Sequence, residues 1–265
     1  MSEGTIIVRR REDCPEALYL VINNPSALNA MNTQMQIDLI RELRKAKEDT
    51  TVRAVILRGE GDRAFSTGGS IRDLDQLTND EAREALYQRG VDMRNVISTM
   101  DKPIIAAVNG WCLGAGFEIA MCCDMIYASV DARFGLTETD IGLVPGWGGA
   151  IRLPRKITVN RAKEMILLSE KIPAEEARML GIVNKVFLKD ELYRRVDEIV
   201  DQILRKPALA LKAVKAIVSH GIVDGNIENA QKIEHWLSIT LMSTHDFHEA
   251  VSAFQEKRKP NFTGE

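Results

Sequence analysis

Apolar and polar positions along the chain follow two periods. Short alternating or continuous apolar runs at 5–10, 17–22, 54–57, 104–108, 125–128 and 182–187 predict β-strands. The first two are expected to join through a turn containing Pro15. The spacing over 33–48 puts Met35, Leu39, Leu43 and Ala46 on one face and predicts an amphipathic helix. A long helix is expected over 80–100, with Leu86, Met93, Ile97 and Met100 among its apolar positions, and another over 113–123. Segments near 151–153, 161–168 and 174–180 are also helix-like, with Gly181 as C-cap. The polar stretch 23–32 and the Gly-, Asp- and Ser-rich stretch 59–70 read as loops. From Asp190 only helical patterns remain, broken near Pro207 and 221–225. Strands alternating with helices predict an α/β fold with parallel pairing. Residues 1–189 are thus expected to form the core and 190–265 a helical region. Trp236, Leu237, Ile239, Leu241 and Met242 crowd this tail. Having little interior of its own, it is better suited to a subunit contact than to packing on the core.

The net charge of −3 argues against a chain built mainly to bind nucleic acid. Helix 33–48 carries Arg41, Arg44, Lys45 and Lys47, but Asp38, Glu42 and Glu48 interrupt any basic stripe. No apolar run approaches the roughly 20 residues of a membrane span. The start, MSEGTIIVRRRED, lacks a signal-peptide core and carries Glu3, Glu12 and Asp13, so a cytoplasmic protein is expected. Cys14, Cys112, Cys122 and Cys123 form no zinc pattern, and no metal is expected. Cys122 and Cys123 read as small core residues; Cys112, in a glycine turn, has no histidine close in sequence to activate it. His220, His235, His245 and His248 all fall in the C-terminal helices and read as surface or interface residues.

The chemistry concentrates between Pro103 and Gly148. The run PIIAAVNG (103–110) leads into the glycine turn WCLGAGFE, which ends at Glu118, and Glu138 comes next in FGLTETDIGLVPGWGG. A buried strand that stops at a glycine turn and feeds a helix aims backbone N–H groups at one point, an arrangement that holds a negative oxygen. Two carboxylates beside that point are suited to moving protons in opposite directions. The plainer readings are a carboxylate favoured by a helix N-terminus for Glu118 and helix entry at Thr137–Asp140 for Glu138.

Five blocks in order carry a family likeness: ALNAMN (27–32), RAFSTGGSI (63–71), KPIIAAVNGWCLGAGFEIAMCCDMIYAS (102–129), FGLTETDIGLVPGWGG (134–149) and AFQEKRKPNF (253–262). In these the chain resembles the enoyl-CoA hydratase/isomerase (crotonase) superfamily over essentially its whole length. The resemblance implies a crotonase-like spiral of ββα units with a C-terminal helical trimerisation region, assembled as a homotrimer or a dimer of trimers. It implies an acyl-CoA substrate, coenzyme A being part of the substrate with no tightly bound cofactor. The thioester oxygen is expected in an oxyanion hole of the Gly69 and Ala115 N–H groups. Glu118 is expected to hold a water and Glu138 to exchange the Cα proton. Coenzyme A contacts are expected from Ser26, Ala27, Leu28, Arg63, Gly68, Arg72, Phe254 and Lys257, and the acyl pocket from Gly146 and Trp147.

Both glutamates together favour reversible hydration over isomerisation, since family isomerases commonly lack one. The alternatives are a hydratase or dehydratase specialised for cyclic, branched or carnitinyl-type groups, an enoyl-CoA isomerase, and an RNA-binding homologue. Three departures stand out: Ser70 replaces a common aspartate after the glycines, Ser26 replaces a common lysine, and Trp147 fills a position that is usually small.

Overall fold

The computed structural model describes residues 4–223 and 227–265. The chain opens with an antiparallel pair, β1 (Thr5–Arg11) and β2 (Cys14–Asn23). Pro15 lies inside β2 rather than in the turn, which Glu12 and Asp13 make. Its missing N–H is harmless there, because β2 meets its other neighbour only from Ala17 on. Asn32 then caps α1 (Thr33–Glu48), its side chain accepting from the Met35 N–H. Met35, Leu39, Leu43 and Ala46 are buried on one face, as their spacing predicts. The helix's cations are largely paired: Arg41 with Asp38 and Glu42, Lys45 with Glu42, Arg44 with Asp92.

Beyond α1 the chain repeats a strand–strand–helix unit three times. The first unit is β3 (Ala54–Gly59), β4 (Ala64–Ser66), then α2 (Ile71–Asp75) and α3 (Asp80–Ser98). The second is β5 (Ile104–Val108), β6 (Trp111–Leu113) and α4 (Ala115–Cys122). The third is β7 (Met125–Ser129), β8 (Arg133–Gly135), a 3-10 turn (Glu138–Ile141) and α5 (Gly149–Lys156). Then come α6 (Val159–Leu167), β9 (Ile172–Pro173), α7 (Ala174–Met179) and β10 (Lys185–Phe187). The first strands of the units stack in a large sheet, β1-β2-β3-β5-β7-β10, parallel from β2 onward. The second strands stack in a small one, β4-β6-β8-β9. This is an α/β spiral of ββα units.

Several expected boundaries shift. The loop over 59–70 contains β4, the loop over 23–32 contains a 3-10 turn (Pro25–Ala27), and the helix expected over 113–123 starts only at Ala115 because β6 precedes it. The expected strand 182–187 shrinks to Lys185–Phe187. The Ile182 and Val183 N–H groups turn back to the Ala177 carbonyl, closing α7 behind Gly181.

The large sheet is covered on both sides, which is why its strands read as continuous apolar runs. Val55, Leu57, Ile104 and Ala106 face the main core with α1, while Ala54, Ile56, Ile105 and Ala107 face α8 (Leu192–Leu204) through Val196 and Val200. The tail continues as α9 (Ala208–Val223), α10 (Ile227–Leu241) and α11 (His245–Gln255). The break near Pro207 is present. Helix α9 runs on through Gly221, and the remainder of the break expected at 221–225 lies outside the described residues. Trp236, Ile239 and Met242 stay exposed on the single chain. No described helix is long and apolar enough to cross a membrane.

One buried side chain holds the first loop against the first unit. Asn29, fully buried and left-handed at φ 57°, accepts from the Asn24 N–H and donates to the Glu60 and Ala64 carbonyls. Asparagine tolerates that backbone region and supplies all three bonds. Replacing Asn29 by alanine removes one buried and two part-buried hydrogen bonds, so Asn29→Ala is expected to lose about 2 to 3 kcal/mol in urea unfolding with an unchanged slope. A midpoint within error of wild type contradicts this role.

Candidate active site

Three loops, one before each unit's helix, meet at a single cavity. Gly68 and Gly69 come after β4, Gly114 and Ala115 after β6, and Glu138 after β8. All five line the cavity with Glu118, Gly146 and Trp147. The contact between the first two loops is tight: a Cβ on Gly68 would lie 3.0 Å from the Ala115 nitrogen. Gly114 sits at φ 51° and ψ −132°, which L side chains rarely adopt, and a Cβ there would stand 3.3 Å from Glu138 Oε1. Glycine at 114 therefore both makes the turn and keeps the carboxyl clear.

The Gly69 and Ala115 N–H groups donate to no backbone or side-chain acceptor among the described residues. For Ala115 the reason is its place at the first position of α4, where a helix has no internal acceptor to offer. Two N–H groups without an internal acceptor, on adjoining loops that line one cavity, are an arrangement suited to holding a negative oxygen.

Glu118 is 2 % exposed. Its Oε1 accepts from the Trp147 N–H at 2.8 Å and the Gly149 N–H at 2.7 Å, at the entry to α5. Burial pushes its carboxyl up to about 7, and the neighbouring Glu138 pushes the same way; the two N–H donors and Arg152 only partly oppose them. Glu138 lies on the 3-10 turn, which Thr139 ties to α6 by bonding the Ile166 carbonyl and Ser169. Burial raises its carboxyl as well. Its Oε2 is buried without a partner among the described residues. Burial raises both carboxyls, and the charge on Glu138 raises Glu118 further, so ionising both on this one cavity is disfavoured.

The coenzyme A candidates separate into three groups. Leu28 accepts through its carbonyl from the Thr67 N–H, and Arg63 donates to the Pro25 carbonyl, which sets Ser26, Ala27, Leu28 and Arg63 against the segment leading to Gly68, although of these five only Gly68 lines the cavity. Arg72 is exposed on α2, whose Ile71 and Leu74 line the cavity. Phe254, 86 % exposed, and Lys257 do not line it. The polar contacts of α11 stay within the C-terminal tail, so this chain does not bring that pair to its own cavity.

Sequence reasoning missed Gln36, a polar residue on the buried face of α1 and 2 % exposed. It lines the cavity, donates to the Met31 carbonyl and accepts from Arg89. A polar residue beside an apolar stripe was the available signal. It also missed the Trp147 and Gly149 N–H groups, because backbone donors leave no mark on composition.

Cys112 is fully buried and its thiol is pushed up by burial, which leaves it inert. The Cys122 and Cys123 thiols donate to carbonyls one turn back, and Cys122 is pushed up to about 11. His235, His245 and His248 are exposed, and the His220 side chain lies outside the described residues. No group of three or more His, Cys, Asp or Glu among the described residues is arranged to hold a metal.

The enoyl-CoA hydratase/isomerase family model matches residues 16–265. The chain is 38 % identical over 264 residues to the crotonyl-CoA hydratase of Syntrophomonas wolfei, covering 99 % of each. It is 34 % identical to the 2,3-dehydroadipyl-CoA hydratase of Escherichia coli over the full length of both. Among solved structures, an enoyl-CoA hydratase from Bacillus anthracis superposes with a TM-score of 0.91 at 31 % identity, covering 98 % of this chain and 100 % of that one. The two relatives are named for different acyl groups, so likeness alone does not choose one.

The raised Glu118 carboxyl has a consequence for stability. The folded chain keeps that proton up to about 7, whereas an unperturbed glutamate loses it near 4.5. Between these values the native state binds more protons than the unfolded one, so stability falls as pH rises through the window, by on the order of 3 kcal/mol in all. Glu118→Gln keeps an oxygen for the two N–H donors and removes this cost. Its melting temperature relative to wild type is expected to rise by several degrees between about pH 5 and about pH 8. A difference that does not change with pH contradicts the shift.

Proposed function

The chain belongs to the enoyl-CoA hydratase/isomerase family, and on that premise we propose that it adds water reversibly across the 2,3 double bond of an enoyl-CoA thioester. The observation that carries this reading is the pair Glu118 and Glu138 on one cavity beside two unengaged backbone N–H groups. An isomerase needs one proton carrier; addition of water needs a proton taken from oxygen and another given to carbon.

The thioester oxygen accepts from the Gly69 and Ala115 N–H groups. Charge grows on that oxygen as the enolate forms, and fixed dipoles stabilise it without reorganising. In the state with Glu138 protonated and Glu118 ionised, the form Glu118 gains as pH rises through about 7, Glu118 takes a proton from a water that both carboxyls touch, and the water oxygen bonds to Cβ. Glu138, protonated, gives its proton to Cα. The proton gained at Glu118 balances the one lost at Glu138, and the pair again holds one. The reverse reaction runs the same steps backwards.

Ser26, Ala27, Leu28 and Gly68 hold the adenine and the pantetheine arm. Arg63 keeps N–H groups for phosphate while one anchors it to the Pro25 carbonyl. Arg72 stands as a further phosphate contact. Phe254 and Lys257 complete the site from a neighbouring copy, in a homotrimer or dimer of trimers whose contacts cover Trp236, Ile239 and Met242. Coenzyme A enters and leaves as part of substrate and product, with no resident cofactor.

The test is loss of the conjugated-enoyl ultraviolet absorbance of crotonyl-CoA. Wild type is expected to turn over, and Glu118→Gln and Glu138→Gln each to lose about 10²- to 10⁴-fold in kcat with little change in KM. Variants that keep the wild-type rate overturn the two-carboxyl mechanism.

A further inference from the structure

Helix α3 carries Gly90 in its interior, a residue that weakens a helix at that place. The indole of Trp147 accounts for it. A Cβ on Gly90 would land 2.2 Å from the indole Cδ1, 2.5 Å from Nε1 and 2.6 Å from Cγ. The ring thus lies directly on the helix backbone, and no larger residue at 90 leaves room for it. Trp147 is only 7 % exposed, yet it lines the cavity that holds both glutamates. Leu86, one turn earlier on the same face of α3, lines the cavity beside it.

The other end of Trp147 is fixed as well, since its N–H bonds Glu118 Oε1 at 2.8 Å. That bond is made by the main-chain N–H, so the indole branches from the residue that touches the carboxyl at which water would be activated, and both line the one cavity. Resting on the hydration reading above, we propose that Trp147, seated on Gly90, is the specificity-determining wall of the acyl site and restricts the substrate to crotonyl-sized enoyl groups. Gly90 is the positioning residue of this pair: it recesses the ring far enough for a short chain to fit.

The test compares kcat/KM of the full chain on crotonyl-, hexenoyl-, octenoyl- and decenoyl-CoA. Misfit of a single methylene commonly costs ~10-fold or more. Wild type is therefore expected to lose at least ~100-fold from crotonyl- to decenoyl-CoA, and Trp147→Ala to narrow that ratio at least ~10-fold. Trp147→Leu, which keeps part of the buried volume, is expected to give an intermediate ratio and serves where alanine does not fold.

Gly90→Ala pushes the ring into the cavity, raising KM for crotonyl-CoA and lowering the melting temperature. In the Trp147→Ala background the same change is expected to leave KM unmoved and to raise the melting temperature, because alanine is the better helix former once the ring is gone. A wild type that hydrates decenoyl- as fast as crotonyl-CoA, or a Trp147→Ala variant with an unchanged chain-length ratio, overturns the wall and leaves hydration standing. A folded wild type that hydrates none of the four thioesters overturns hydration itself.

Discussion

The site depends on one buried carboxyl and the two backbone N–H groups that hold it. Glu118 is taken out of water and placed beside a second carboxyl, which by itself drives it to the neutral form. The Trp147 and Gly149 N–H groups offset part of that cost and fix which oxygen faces them. The balance leaves the carboxyl near neutrality, poised to take up or release a proton under ordinary conditions. The same two bonds tie α4 to the start of α5, so the chemistry and the closure of the cavity share an anchor.

The fold supplies this anchor by repetition. Each unit crosses from the large sheet to the small one and then turns into a helix, so equivalent loops of successive units lie side by side. The first two loops bring Gly69 and Ala115, and the third brings Glu138, to the cavity lining. Nothing in one unit makes the site alone; stacking brings the donors and the carboxyls to one cavity. The left-handed Gly114 shows how little slack remains, since a single added carbon would crowd Glu138.

Much of this was legible in the chain. The helix over 33–48 is long enough for its period to show, the strand over 104–108 shows as an unbroken apolar run, and the boundaries of both hold. The strands of the small sheet did not show, because two or three residues carry no period and are defined only by neighbours from other units. The glycine turn and both glutamates stood out as residue types in an informative order. The partners of Glu118 did not, being main-chain groups distant in sequence. Trp147 was visible as a misfit in a small-residue position, but its seat on Gly90 arises only when α3 packs over the α5 entry. Phe254 and Lys257 match the family pattern, yet a single chain does not bring them to the cavity, which their place in the sequence could not reveal.

The central claim is that burial and the neighbouring charge of Glu138 raise the Glu118 carboxyl to about 7. The most direct measurement is a 13C NMR titration of the glutamate side-chain carboxyls, with the Glu118 resonance assigned by its loss in Glu118→Gln. The Glu118 carboxyl is predicted to titrate near about 7 and to move to lower pH in Glu138→Gln, where the neighbouring negative charge is gone. A Glu118 resonance that titrates near 4.5, and is unmoved by Glu138→Gln, would contradict the claim.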